Sequence, residues 1–147
     1  MLLQTPDVAA RVANIGTFFL YETILSSRVR TLIWLLAARE VDCNYAWQTS
    51  LTPARTAGID AAVLAALEND RAMTALAGAD KLLCRFCYQL LRANHHVDDS
   101  TYQAMIGEFG TPATAQIAAT IGYIVMLSLV ANAFEIAPAC DDQRPAL

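Results

Sequence analysis

Residues 39–50 give the strongest indication of the fold, and they read Arg39-Glu40-Val41-Asp42-Cys43-Asn44-Tyr45-Ala46-Trp47-Gln48-Thr49-Ser50. In this stretch Cys43, Ala46, Trp47 and Ser50 are spaced at i, i+3, i+4 and i+7, so a helix that starts near Cys43 places them on one face. One face can line one pocket. The same pattern also fits plain packing, with Cys43 as a small buried hydrophobe and Trp47 as a core aromatic.

The segments on either side of this stretch carry a family resemblance. Arg28-Val29-Arg30-Thr31 comes before it, Ala54 to Asp60 follows it, and further similar segments extend to Asn132-Ala133-Phe134. In this order and spacing they resemble the carboxymuconolactone decarboxylase and alkyl hydroperoxidase D superfamily over most of residues 15–135. The resemblance implies an all-α, alkyl hydroperoxidase D-like bundle of six to eight helices that forms oligomers.

The sequence departs from the site pattern of this superfamily. Thr31 stands where the superfamily's Arg-x-Arg-Glu has its glutamate. The peroxidase branch continues with Cys-x-x-Cys-x-x-x-His, and the matching positions here are Cys43, Ala46 and Ser50. The decarboxylase branch has Tyr-x-Trp-x-x-His, of which both aromatic residues are kept while Ser50 replaces the histidine. The superfamily's acid, base and second thiol therefore have no counterpart at the matching positions of this sequence.

Hydrophobic periodicity predicts helices throughout. Apolar residues recur at three- and four-residue spacing in every long segment, and alternation typical of strands is nearly absent. Ser27 is the predicted N-cap of a helix from Arg28 to about Glu40, and Gly58 the predicted end of a helix that starts at Asn44. Further predicted helices start at Pro6, after Asp60, at about Asp80, after Asp98 and, following a break at Gly110, at Pro112.

Composition indicates one domain that associates with itself. The 147 residues are predicted to form a single domain, 1–147, with a core at about 15–135 and a flexible tail at 138–147. Hydrophobic residues make up 56% and charged residues 16%, which is more apolar surface than a monomer of this size easily covers. We therefore expect a homo-oligomer, and the resemblance implies a trimer or a hexamer. A net charge of −4 with no basic cluster argues against nucleic acid as a partner.

The sequence also bears on location. Residues 1–7 lack the basic region and the small-residue cleavage site of a signal peptide, so we expect a cytoplasmic protein. Residues 117–134 are uncharged and reach the lower length limit of a membrane span. Thr120, Gly122, Ser128 and Asn132 within this run favour a buried core helix, and no membrane partner is expected.

Neither a metal nor a cofactor is predicted. In a reducing cytoplasm the four cysteines are expected to be reduced. Cys84 and Cys87 lie in the middle of an amphipathic helix, where packing is the commoner role. A zinc site from these two with His95 and His96 would require the chain to turn back past the end of its own helix.

Three functions remain open from the sequence. The first is a metal-free small-molecule enzyme of the carboxymuconolactone decarboxylase-like type, a lyase or isomerase. It would decarboxylate, isomerise a lactone or cyclise an organic acid or biosynthetic intermediate. The second is a catalytically inactive ligand-binding or assembly protein on the same scaffold. The third is a one-cysteine thiol peroxidase.

The candidate site residues follow from the motif and from the available acid–base groups. Backbone N–H groups at a helix start stabilise a thiolate, hydroxyls donate hydrogen bonds to a substrate, and the chain has only two imidazoles. The predicted catalytic residues are Cys43, Tyr45 and Ser50. The predicted substrate-binding residues are Thr31, Trp47, Thr49, His95 and His96.

Overall fold

The computed structural model describes residues 4–92 and 94–138. In these residues the chain forms seven α-helices, one π-helical turn and no strand, which confirms the all-α bundle of six to eight helices. The elements are α1 (Pro6–Thr17), the π-helical turn (Phe18–Glu22), α2 (Ser27–Glu40), α3 (Asn44–Thr56), α4 (Ala61–Glu68), α5 (Ala72–Ala75), α6 (Gly78–Leu91) and α7 (Asp99–Ala133). Except for Pro138, the predicted flexible tail, which includes Cys140, lies outside the described residues.

Capping side chains explain several of the helix boundaries. Asp60 accepts a hydrogen bond from the backbone N–H of Val63 at 2.9 Å and begins α4 as predicted. Gly58 has a φ of +77°, the left-handed conformation expected after α3. The predicted cap of α2 was wrong by one residue. Ser26 has the extended backbone of a cap and accepts from the N–H of Val29, whereas Ser27 is already helical.

The region between α4 and α7 contains more helix than predicted. A single helical turn, α5, forms where no helix was predicted, and α6 begins at Gly78, two residues before the predicted start at Asp80. Asp80 thus lies in the first turn of α6, where a carboxylate is favoured by the helix dipole. It also accepts two hydrogen bonds from Arg28, at 2.7 and 3.1 Å, which join α6 to α2.

Helix α2 forms the centre of the bundle. Its buried residues include Leu32, Ile33, Leu35 and Leu36, which point in several directions around the helix. Because more than one face is apolar, α2 can pack against α3, α6 and α7 at the same time.

Helix α7 is the longest element and consists of two segments. Gly110 has non-helical dihedral angles inside it, with φ at +77°, so the predicted break is confirmed. Within the described parts of the chain, α7 alone is long and apolar enough to cross a membrane by length and composition. Its buried residues, such as Ile117 and Ile124, belong to the hydrophobic core, and the helix packs against α2 and α6.

Helix α1 lies at the edge of the molecule. Gly16 is its single buried residue, and Val8 and Ile15 are 49% and 48% exposed. The hydroxyl of Tyr123 in α7 donates to the carbonyl of Val12 at 3.3 Å. A Cβ on Gly16 would collide with that hydroxyl, so glycine permits the close approach of α1 to α7.

Candidate functional site

Three of the predicted site residues lie in one cavity of about 350 Å³ between α2 and α3. This volume lies at the lower end of the roughly 300–1,000 Å³ typical of small-molecule sites. The cavity brings together the predicted residues Thr31, Thr49 and Ser50. Its full lining is Leu20, Tyr21, Ser27, Arg30, Thr31, Trp34, Thr49, Ser50 and Pro53.

The packing of α2 against α3 creates this arrangement. Ala46, Ser50 and Ala54 recur every four residues and form much of the buried face of α3. Small side chains at this spacing allow two helices to lie close together. Thr31 is the buried hydroxyl residue of α2 and reaches the same cavity as Ser50.

Three hydroxyls of the cavity are bonded to their own helices. Thr31 donates to the carbonyl of Ser27 at 2.8 Å, Ser50 to that of Ala46 at 2.6 Å, and Thr49 to that of Tyr45 at 2.8 Å. With their hydrogens engaged in this way, the three side chains present oxygen lone pairs to the cavity. They form a polar wall that accepts hydrogen bonds.

Arg30 is the charged residue of the cavity, and the sequence analysis did not select it. Its NH1 group donates to the carbonyl of Leu20 in the π-helical turn. Its Nε atom is buried and has no hydrogen-bond partner among the described residues. In the sequence, Arg30 could have been noticed as the second arginine of Arg28-Val29-Arg30, directly before Thr31 in the motif that carries the resemblance. Trp34, one helical turn later, was missed as well and forms an apolar wall of the cavity.

Cys43 and Trp47 lie in a second depression, of about 310 Å³, together with Arg39, Asp42 and Glu68. Cys43 is the N-cap of α3 and is 2% exposed, while Trp47 is 9% exposed. Arg39 forms an ion pair with Asp42 at 2.7 Å at this depression. The structure therefore places the predicted thiol and the predicted tryptophan apart from the cavity that contains Thr31 and Ser50.

Tyr45 and the two histidines lie outside both depressions. Tyr45 is 38% exposed on α3. His95 follows α6, and its Nδ1 lies 2.9 Å from the carbonyl of Leu90. His96 lines a third depression with residues of α6 such as Arg85. Their predicted roles in catalysis and binding stay predictions.

Cys84 and Cys87 are buried in α6 beside an ionic cluster. Arg92 pairs with Glu40 and Asp70 at 2.6 Å each and stacks over the ring of Tyr88. Burial raises the pKa of the Cys84 thiol to about 11 and raises the pKa of the Cys87 thiol still further. Across residues 4–92 and 94–138, no group of three or more His, Cys, Asp or Glu side chains is arranged to hold a metal ion.

Solved structures identify the fold. A protein of unknown function from Agrobacterium tumefaciens, suggested to be the antioxidant defence protein AhpD, matches with a TM-score of 0.85 and 16% identity, over 95% of this chain and 96% of that chain. The chain has the AhpD-like fold. An uncharacterized peroxidase-related protein from Silicibacter sp. TM1040 matches with a TM-score of 0.79 and 17% identity, over 90% of this chain and 70% of that chain.

These structures confirm the AhpD-like fold that the superfamily resemblance implies. Comparisons of the sequence with family models and with curated proteins gave no match. Since the identity to both structures is low, the likeness concerns the fold alone. The activity of this AhpD-like chain has to be argued from its own cavity.

Proposed function

We propose that the cavity between α2 and α3 binds a small organic molecule, so that the chain is a ligand-binding protein on the AhpD-like scaffold. The observation that supports this proposal is the composition of the lining. Apolar side chains and hydroxyls surround a single guanidinium, and the described lining residues include no carboxylate, imidazole or thiol. Proton transfer near pH 7 relies on such groups, so the lining suits binding better than acid–base catalysis.

A second candidate is the lyase or isomerase without a metal, and Arg30 favours it. A guanidinium held in a largely apolar cavity stabilises the negative charge that develops on an enolate oxygen as carbon dioxide leaves the substrate. Together with the shape of the cavity, this could accelerate decarboxylation without a titrating side chain, because the electrons of the broken C–C bond pass to the enolate and solvent then supplies the proton. Both candidates use the same cavity and differ in whether the bound molecule changes.

The test is to fill the cavity from its accessible side. Thr49 lines the cavity but is exposed, so Thr49→Trp adds bulk there without changing a core residue. Gln48→Trp is the matched control, because Gln48 is the exposed neighbour and does not line the cavity. Ligand-observed NMR with a panel of small aromatic and alicyclic molecules should show binding to the wild type and to Gln48→Trp, and loss of binding to Thr49→Trp.

The same NMR samples distinguish the two candidates. Ligands that bind and stay unchanged over hours support the binding protein. A new product that requires the protein and disappears with Thr49→Trp supports the enzyme. If Thr49→Trp binds the same molecules as the wild type, the cavity is not the site and the proposal is wrong.

A further inference from the structure

We propose that Arg30 anchors the carboxylate of the ligand, so that the cavity selects small monocarboxylates with an apolar body about the size of one ring. This inference rests on the proposed function, because it specifies what the same cavity binds. It starts from the buried Nε of Arg30, which has no partner among the described residues. A buried donor without an acceptor is costly, and an arriving acceptor removes that cost.

The other part-buried arginines among the described residues each have a carboxylate partner, which Arg30 lacks. Arg28 forms an ion pair with Asp80 and Arg39 with Asp42, both at 2.7 Å. Arg30 has no carboxylate within ion-pairing distance in the described residues, and its bond to the carbonyl of Leu20 uses only NH1. Among the described residues there is thus no complementary anion for this guanidinium, and a bound carboxylate would supply one.

The Nε and NH2 side of the guanidinium has the geometry that a carboxylate requires. Because Nε is buried in the unliganded chain, this side has to turn towards the cavity when a carboxylate binds. Nε and NH2 form one planar edge with two parallel N–H donors, and this edge is not used by the bond through NH1. A carboxylate accepts two such hydrogen bonds side by side. A ligand with a single neutral oxygen would satisfy only one of them.

The rest of the lining defines the body of the ligand. Leu20, Trp34 and Pro53 provide apolar surface, and the volume of about 350 Å³ limits the body to a small one. The hydroxyls of Thr31 and Ser50 donate to their own helices and face the cavity as acceptors. A second polar group of the ligand that contacts Thr31 or Ser50 would therefore be a donor, such as a hydroxyl.

The experiment compares carboxylates with their neutral amides. Isothermal titration calorimetry would use the pairs benzoate and benzamide, phenylacetate and phenylacetamide, and cyclohexanecarboxylate and its amide. We expect the wild type to prefer each carboxylate. Arg30→Gln should weaken carboxylate binding roughly 10- to 100-fold, as expected for the loss of hydrogen bonds to a charged group, and should weaken amide binding much less, because an amide loses only one neutral hydrogen bond.

Two further variants sharpen this comparison. Arg30→Lys keeps the charge but loses the planar fork, so its carboxylate affinity should fall between those of the wild type and Arg30→Gln. Arg55→Gln is the matched control, because Arg55 is an exposed arginine of α3 outside the cavity lining. It should leave all affinities as in the wild type.

The outcomes separate this inference from the proposed function. If the amides bind as well as the carboxylates, or if Arg30→Gln keeps the preference, the carboxylate anchor is overturned while the cavity remains a binding site. If neither class binds, the proposed function fails and the inference fails with it. Should Arg30→Gln not fold, the preference of the wild type and its decrease in Arg30→Lys decide the question.

Discussion

Thr31 of α2 and Ser50 of α3 line the same cavity, and each donates its hydroxyl hydrogen to a carbonyl one turn earlier in its own helix. The superfamily resemblance implies a glutamate and a histidine at these two positions. A hydroxyl cannot replace either one as an acid or base near pH 7. At the two positions that the resemblance associates with proton transfer, this chain therefore has hydroxyl oxygens that can accept hydrogen bonds beside Arg30.

The two tryptophans test which depression binds the ligand. Trp34 lines the cavity with Arg30, so Trp34→Ala should weaken ligand binding by about 1–2 kcal/mol through loss of apolar contact. Trp47 is in the core, and Trp47→Ala should lower the free energy of unfolding by about 3–5 kcal/mol with binding by the folded protein retained. Urea unfolding and ligand titration of both variants measure these effects. A folded Trp47→Ala variant without binding would instead favour the predicted substrate-binding role of Trp47.

A pH-dependent stability is expected from the N-cap of α7. Asp98 accepts from the hydroxyl of Ser100 at 2.6 Å and from the N–H of Thr101 at 2.7 Å, and with Gln89 these bonds hold the pKa of Asp98 well below its usual range. A lowered folded-state pKa stabilises the fold above the unfolded-state pKa of about 3.9, and this stabilisation is lost as the pH falls below it. Asp98→Asn should therefore be less stable than the wild type at pH 7.

The difference between wild type and Asp98→Asn should shrink as the pH falls below about 4, measured by urea unfolding from pH 7 to pH 2. Glu108→Gln is the control, because Glu108 is exposed further along α7 and makes no hydrogen bond or ion pair among the described residues. Its difference from the wild type should stay small throughout. A difference for Asp98→Asn that is constant over the whole range would contradict the role of the charged cap.

Self-association is expected through the exposed apolar residues of α1 and α7. Val8 and Ile15 of α1 and Leu129 of α7 are each about half exposed, and α1 is too short to be stable as a helix without more contacts. We expect a homotrimer or homohexamer, which light scattering would report as three or six times the chain mass of 16.0 kDa.

Substitutions on α1 test this association directly. Ile15→Glu should shift the protein towards a smaller species, because a charge cannot be buried cheaply in an apolar contact. Asn14→Glu places the same charge on the adjacent exposed position and should leave the mass unchanged. A wild type that is monomeric at micromolar concentration would contradict the oligomer.

The sequence was sufficient for most of the helices, apart from α5 and the exact starts of α2 and α6, but only partly for the site. Periodicity and capping residues such as Asp60 and Gly110 act locally, so they could be recognised without the structure. Arg30 could not be recognised in this way, because an Arg-x-Arg pair is common in sequences. Only the structure shows that its Nε is buried without a hydrogen-bond partner among the described residues.

The separation of Cys43 from Ser50 has a geometric cause. Side chains on a helix lean towards its N-terminus, so Trp47 covers the turn next to Cys43, while Ser50 lies almost one turn further along. Residues on one helical face can therefore belong to two different cavities. Helical spacing alone could not assign Cys43, Trp47 and Ser50 to one or the other.

We expect that the protein does not reduce alkyl hydroperoxides catalytically with a dithiol donor. Turnover would require a second thiol to resolve a sulfenic acid on Cys43, and Ala46 occupies the position of that thiol in the resembling motif. Cys84 and Cys87 cannot substitute, because both are buried and their thiol pKa values are raised. A coupled assay of peroxide consumption measures this, with Cys43→Ser as the control.

Ala46→Cys alone should remain nearly inactive, because Thr31 and Ser50 provide no proton relay. Steady consumption by the wild type that depends on both Cys43 and the dithiol would instead favour the one-cysteine peroxidase.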